Sequence, residues 1–183
     1  MPSSSVRIRA ATRSDYSGVS RVHVSSWKTT YRGIISDAYL DNLTYESREA
    51  FWERELQSTN RITLVAELME QSKSKSEIIG FVSGGENRSE EFRTLYDAEL
   101  GAIYLLKQYQ GRGIGKDLVK KFVHELQNRS FNAMMVWVLE LNPFRRFYES
   151  LGGKYLGKQS IEIGLERFEK VAYGWMNLEE LLK

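Results

Sequence analysis

"ELGAIYLLKQYQGRGIGKDLVKKFV", residues Glu99 to Val123, decides how the chain is read. It opens as an apolar run of strand length, passes Gly111, Gly113 and Gly115, and resumes with apolar residues at helical spacing. A strand from about Glu99 to Leu106 therefore hands over to a helix from about Gly113 to Arg129. A plain connection does not need backbone this bare. A helix N-terminus exposes N–H groups that lack intrahelical partners, and the helix dipole adds partial positive charge there. Glycines admit φ > 0 and carry no Cβ to hold a ligand away. The segment Gln110, Gly111, Arg112, Gly113, Ile114, Gly115 thus reads as a cradle for phosphate, with Arg112 and Lys116 able to add charge. Taken alone, the glycines read equally well as a structural turn. Two familiar phosphate motifs fail on spacing. Gly115-Lys116 is followed by Asp117 rather than Ser or Thr, and the third glycine of a dinucleotide fingerprint would fall at Lys116.

The rest of the sequence excludes several classes. With 26 basic and 24 acidic residues the formal charge is +2, too balanced to argue for nucleic acid or an anionic membrane surface. There is no cysteine, and the two histidines, His23 and His124, lie far apart, so neither a thiolate nor a histidine metal site is expected. The start, "MPSSSVRIRAATRSD", lacks the apolar core of a signal peptide, and no window has the apolar length of a membrane span; the expected location is the cytoplasm. The length of 183 residues suits one domain over 1–183.

Along the chain, "VRIRA" alternates as a half-buried strand, and Thr12 and Asp15 fit a capping box ahead of a helix carrying Val19, Val22 and Trp27. Gly33 is its expected stop. "SDAYLDNL" and "TYESREAFWEREL" read as two further helices. "RITLVAEL" and "EIIGFVSGG" read as strands joined by a hairpin connection through "MEQSKSKS", and the polar "ENRSEEFRTLYD" as a mobile loop or irregular strand. "AMMVWVLE" is a strand, "PFRRFYESLGG" a short helix opened by Pro143 and closed by Gly152 or Gly153, and "SIEIGLERFEKVAYGWMNL" two last strands. Antiparallel neighbours early and late enclose one β-α-β step. That order predicts an α/β fold with a mixed, mostly antiparallel central sheet and helices on both faces.

"QGRGIG" matches the pattern Q-x-x-G-x-G of the GNAT superfamily of N-acetyltransferases, and it lies between the fourth strand and the next helix, as it does in that family. "NPFRRFYESLGG" resembles the family's second coenzyme A segment, "HVSSWKTTYRGI" its acceptor-side helix, and "VAYGW" a common last strand. The resemblance implies acetyl transfer from acetyl-CoA to a primary amine of a small molecule or peptide, with no metal. It implies that the pyrophosphate sits on Gln110 to Gly115, beside Lys116, and that the pantetheine arm runs along the fourth strand near Tyr104 and Leu105. Glu99, eleven positions before Gln110, takes the place of the family's base, often acting through water, with Asp97 and Glu140 as alternatives. Tyr148 in "FYE" takes the place of the acid that protonates the departing sulfur. Asn142 takes the place of a pantetheine contact, though it is six residues before Tyr148 where many members have seven; it also reads as the cap of the helix near Pro143.

On the acceptor side Trp27 and Tyr31 are four apart and share a helical face, as an aromatic wall or as core. His23 reads as a surface or internally satisfied residue. A non-catalytic coenzyme A or acyl-CoA sensor and a nucleotide-binding protein are the rival readings. Apolar strands near the C-terminus leave room for a homodimer.

Overall fold

The computed structural model describes residues 4–70 and 76–182. β1 (Ser4–Ala10), β2 (Arg61–Glu70), β3 (Glu77–Glu86), β4 (Ala98–Leu105), β5 (Met134–Leu139), β6 (Lys154–Ile163) and β7 (Glu166–Trp175) form one seven-stranded sheet in the order β1-β2-β3-β4-β5-β7-β6. The helices are α1 (Tyr16–Tyr31), α2 (Asp37–Asp41), α3 (Tyr45–Glu55), α4 (Ile114–Asn128) and α5 (Arg146–Ser150). The mixed α/β fold with helices on both faces is the one expected. The "MEQSKSKS" connection lies mostly outside the described residues.

Each helix follows from its apolar spacing. α4 buries Ile114, Leu118, Val119, Phe122, Val123 and Leu126 along one stripe, which packs on the main core of β2 to β5. On the other face α1 buries Val19 and Val22 against Trp52 of α3, Val65 and Phe81. Thr12 and Asp15 do form a capping box, closing a short 3-10 turn that leads into α1. Asp15 also takes two hydrogen bonds from Arg9, which pairs with Glu67 as well, so the turn is tied to β1 and β2.

Two features of β4 position the site. The first is its pairing. All neighbouring strands run antiparallel except β4 and β5, whose parallel register covers only Ala98↔Met134, Glu99↔Met135 and Leu100↔Val136. Beyond Leu100, β4 stays with β3 and β5 stays with β7, so the two strands part and open the sheet. The second is a bulge. Ala102 pairs with Ser83 and Leu100 with Gly84, leaving Gly101 without a partner. Side chains alternate along a strand, so one extra residue flips the faces. Glu99 therefore shares a face with Tyr104 rather than with Leu105.

The segment between β3 and β4 differs from its expected looseness. Phe92 and Tyr96 are buried against Met135 and Ala172, and the Asn87 side chain donates to the Tyr96 carbonyl at 2.8 Å. Two aromatic anchors in an otherwise polar string hold it on the sheet.

Gly84 lies where β3 crosses the bulge. A methyl there would stand 2.3 Å from the Glu99 carbonyl oxygen and 2.6 Å from the Phe122 ring. Gly84→Ala is expected to cost about 1–3 kcal/mol through overpacking. Thermal unfolding followed by circular dichroism should show a midpoint lower by roughly 2–12 °C.

Candidate active site

A cleft of about 620 Å³ opens where β4 and β5 part. One wall is the end of β4, with Ile103, Tyr104 and Leu105; opposite stand Asn142, Phe147 and Tyr148; the glycine turn forms one end. Gly111 and Gly113 adopt φ of 72° and 84°, a left-handed conformation that side chains resist. Gly113 is the N-cap of α4, so the first N–H groups of a fifteen-residue helix end at the cleft. Gln110 fixes the turn from below by donating to the Leu105 carbonyl at 2.9 Å. Gly111, Gly115 and Lys116 line the cleft as well.

Two members of the expected cradle are placed differently. Ile114 is buried in the main core, because it begins the apolar stripe of α4. Arg112 lies over the ring of Tyr109, 5.6 Å from its centroid. Any part Ile114 takes in binding an anion falls to its backbone.

α5 carries Tyr148 into the cleft. The helix is shorter than expected, because residues 143–145 form a turn ahead of it. Three contacts hold it. Tyr173 donates to Glu149 at 2.7 Å, Trp175 donates to the Leu151 carbonyl at 2.8 Å, and Gly153 closes the end by donating to the Tyr148 carbonyl at 3.0 Å. Gly153 has to be glycine there, since a Cβ would meet Trp175 at 2.7 Å and the Tyr148 carbonyl at 2.8 Å. Tyr148 is buried and stacks near Tyr173, and burial pushes its phenol well above the ordinary range. Among the described residues its hydroxyl has no hydrogen-bond partner, so its proton is held and uncommitted.

Asn142 caps the turn at residues 143–145 rather than α5 itself, whose N-cap is Arg145. Its Oδ1 accepts from the Phe144 N–H at 2.8 Å, capping the turn, while its Nδ2 donates to the Tyr31 hydroxyl at 2.9 Å and the residue lines the cleft. Tyr31 is buried in a core with Ile35 and Leu40, its phenol pushed up chiefly by burial. Trp27 packs on Tyr31 with ring centroids 5.0 Å apart and donates Nε1 to the Tyr104 hydroxyl at 2.9 Å. Burial raises the Tyr104 phenol to about 12. Of this helix, Ser26 and Thr30 reach the cleft lining, one position before Trp27 and Tyr31. The sequence reading passed over both, since small polar residues carry no signal in a helical pattern.

Glu99 is not in this cleft. It lines a second, polar cavity of about 860 Å³ together with Arg88, Glu91, Trp137, Gln159 and Lys170. That cavity lies on the α1 face of the sheet, at the level where β4 and β5 separate. Glu99 is half-buried, and its Oε2 accepts from the Arg88 N–H at 3.3 Å. Of the two alternatives, Asp97 is committed, because its carboxylate accepts the N–H groups of Asn132 and Ala133 at 2.9 Å. Glu140 lines neither cavity. His23 is satisfied internally. Its Nδ1 accepts from Trp52 Nε1 at 3.0 Å, it stacks on Tyr104, and burial, with Arg48 adding to it, lowers its pKa to about 3. Among the described residues no group of acidic and histidine side chains is arranged to hold a metal, and no helix is long and apolar enough to cross a membrane.

The sign of the His23 effect is definite. Between pH 6.5 and about 3 the unfolded chain binds a proton that the folded chain does not, so stability is full above pH 6.5 and falls as the pH drops. His23→Gln removes that proton from the balance. The unfolding midpoint of the variant, measured in urea, should depend less steeply on pH between 6.5 and 4 than that of the parent.

Comparison with known proteins gives three results. Residues 27–153 match the model of the Acetyltransferase (GNAT) family. The chain is 36% identical over 176 residues to YuaI of Bacillus subtilis (strain 168), described as an uncharacterized N-acetyltransferase, and covers 96% of each protein. Solved structures share the fold. PaiA N-acetyltransferase from Thermoplasma acidophilum in complex with coenzyme A superposes with a TM-score of 0.61 at 22% identity, over 91% of this chain and 98% of that one. YncA from Salmonella typhimurium with its cofactor acetyl-CoA superposes with a TM-score of 0.63 at 18% identity, over 94% of each chain.

Proposed function

This chain belongs to the GNAT family of acetyltransferases, and from that premise we propose that it binds acetyl-CoA in the cleft between β4 and β5 and acetylates a primary amine presented from the Glu99 cavity. The observation that carries the proposal is the cleft itself. It combines left-handed glycines at a helix N-terminus, an unpaired stretch of β4 and a buried, uncommitted phenol in one continuous space.

Each part suits a part of acetyl-CoA. The pyrophosphate suits the bare backbone from Gly111 to Gly115, where N–H groups and the dipole of α4 favour negative charge and Lys116 adds to it. The pantetheine arm, which carries amides, suits the edge of β4 beyond Leu100, whose backbone groups on the β5 side lack a strand partner. Asn142 has a second Nδ2 proton beyond the one given to Tyr31, and that proton is available to the arm. Acetyl-CoA supplies the acyl group as an activated thioester.

The protein's own task is to move two protons. An acceptor arriving as an ammonium ion gives one to Glu99, directly or through water, before its nitrogen attacks. Tyr148 gives the other toward the departing sulfur and is reprotonated, directly or through solvent, by the second proton that the nitrogen loses as the amide forms. Its phenol stays protonated at neutral pH because burial opposes the phenolate. The division of labour rests on the parting of the strands, since Glu99 lies one residue before the last β4–β5 pair and Tyr148 lines the cleft that opens beyond it. Trp27 and Tyr31 act behind the site. Trp27 holds the Tyr104 hydroxyl and Tyr31 holds Asn142, so both orient the residues that line the cleft.

Release of free thiol from acetyl-CoA in the presence of a panel of amines, with mass spectrometry of the product, tests the proposal. Tyr148→Phe should lower kcat by about 100-fold or more while the KM for acetyl-CoA changes by less than about threefold. Turnover equal to the parent would remove Tyr148 from the mechanism. Thermal stabilisation by acetyl-CoA with no thiol release from any amine would instead favour a sensor.

A further inference from the structure

We infer that the acceptor is an amine that carries its own carboxylate at the far end of a carbon chain, an ω-amino acid, rather than a simple amine or a polyamine. This inference rests on the acetyl-transfer reading above and names the substrate class of the Glu99 cavity.

The cavity occupies the gap between two covers on one face of the sheet. At one end the β3–β4 segment packs Phe92 and Tyr96 on Met135 and Ala172. At the other, α1 and α2 pack Tyr31, Ile35 and Leu40 on Leu139 and Ile163. The side chains left bare between them are Glu99 from β4, Trp137 from β5, Lys170 from β7 and Gln159 from β6, with Arg88, Ser89, Glu90 and Glu91 on the rim, where Glu90 is exposed. The floor of the acceptor space is therefore a charged row across the sheet.

The commitments within that row decide its preference. Glu91 accepts from Gln159 Nε2 and is engaged. Lys170 rests its ammonium on the Trp137 ring, 4.3 Å from the centroid, and half-buried as it is, it has no carboxylate partner among the described residues. The Arg88 guanidinium also has none there. The aromatic face that would otherwise attract a cationic ligand is thus already occupied by a cation. A second ammonium that reached the Trp137 face would meet the half-buried Lys170 as a like charge, while the exposed Glu90 on the rim is screened by solvent, which together disfavour polyamines. A carboxylate in the same place finds the uncommitted donors of Lys170. Trp137, half-buried on the strand between Glu99 and Lys170, gives the intervening carbon chain the apolar surface that Lys170 leaves uncovered. The arrangement accepts an ammonium at Glu99 and an anion at Lys170 from one molecule.

Three six-carbon amines separate the possibilities: 6-aminohexanoate, hexylamine and 1,6-diaminohexane. The expected result is a kcat/KM for 6-aminohexanoate at least about tenfold above the other two, read by thiol release. In Lys170→Gln the ratio of 6-aminohexanoate to hexylamine should fall about tenfold, and in Lys170→Glu the diamine should become the best of the three. Arg88→Gln, at an exposed position, provides a second variant if Lys170 changes disturb folding. Hexylamine or the diamine used as well as 6-aminohexanoate by the parent, or a ratio unchanged in both variants, would overturn the inference. Calorimetric titration of the same probes into protein saturated with coenzyme A reads the preference without turnover. A carboxylate preference there without thiol release from any probe would remove acetyl transfer and keep the ligand class. Equal thiol release from all probes would do the reverse.

Discussion

The separation of β4 from β5 after Leu100 is the constraint on which the rest depends. Two parallel strands joined by a helix ordinarily pair along their length, since an unpaired buried N–H or C=O is costly. Here three residue pairs are made and the remaining backbone of β4 is left toward a cleft. The separation is maintained from both sides. Residues 102 to 105 are held by β3, and β5 is held along its whole length by β7, from Met134↔Trp175 to Leu139↔Lys170. Neither strand can close the gap without giving up pairing on its outer side. The open edge is thus a property of the sheet order, and a ligand with amide groups of its own restores what the strands forgo.

The bulge at Gly101 gives the gap two chemically different sides. On the α4 side, Ile103, Leu105 and Phe147 pack at the edge of the main core near the glycine turn, which suits a long, mostly apolar arm ending in phosphates. On the α1 side, Glu99, Trp137 and Lys170 offer charge. Without the extra residue, strand alternation would turn Glu99 toward α4 and into the main core. Glycine at 101 also leaves room for Arg61, whose guanidinium would stand 2.8 Å from a Cβ there.

Much of this was legible in the chain. The handover from strand to helix falls within a residue or so of its expected bounds, since apolar periodicity and glycine both change there: β4 ends at Leu105 and α4 begins at Ile114. Tyr148 and Asn142 reach the cleft as the segment around them suggested. What stayed hidden depends on contacts distant in sequence. The bulge is invisible because "AELGAIYL" reads as one continuous strand. The position of Glu99 in a separate cavity follows from that bulge. The hydrogen bond of the Tyr31 hydroxyl to Asn142 spans 111 residues, and the pairing of Lys170 with Trp137 depends on β7 lying beside β5. "ENRSEEFRTLYD" reads as loose because its nine polar residues outweigh Phe92 and Tyr96 in composition but not in packing.

The central claim is that acetyl-CoA lies along the parted edge of β4 with its phosphates on the turn before α4. Amide hydrogen exchange with and without acetyl-CoA tests it most directly, because it reads the backbone groups assigned to the ligand. Slower exchange confined to residues 101–118 and the neighbouring Asn142 turn, with β1 and β2 unchanged, is the predicted result. No protection in 101–118, or equal protection by ATP, would contradict the account.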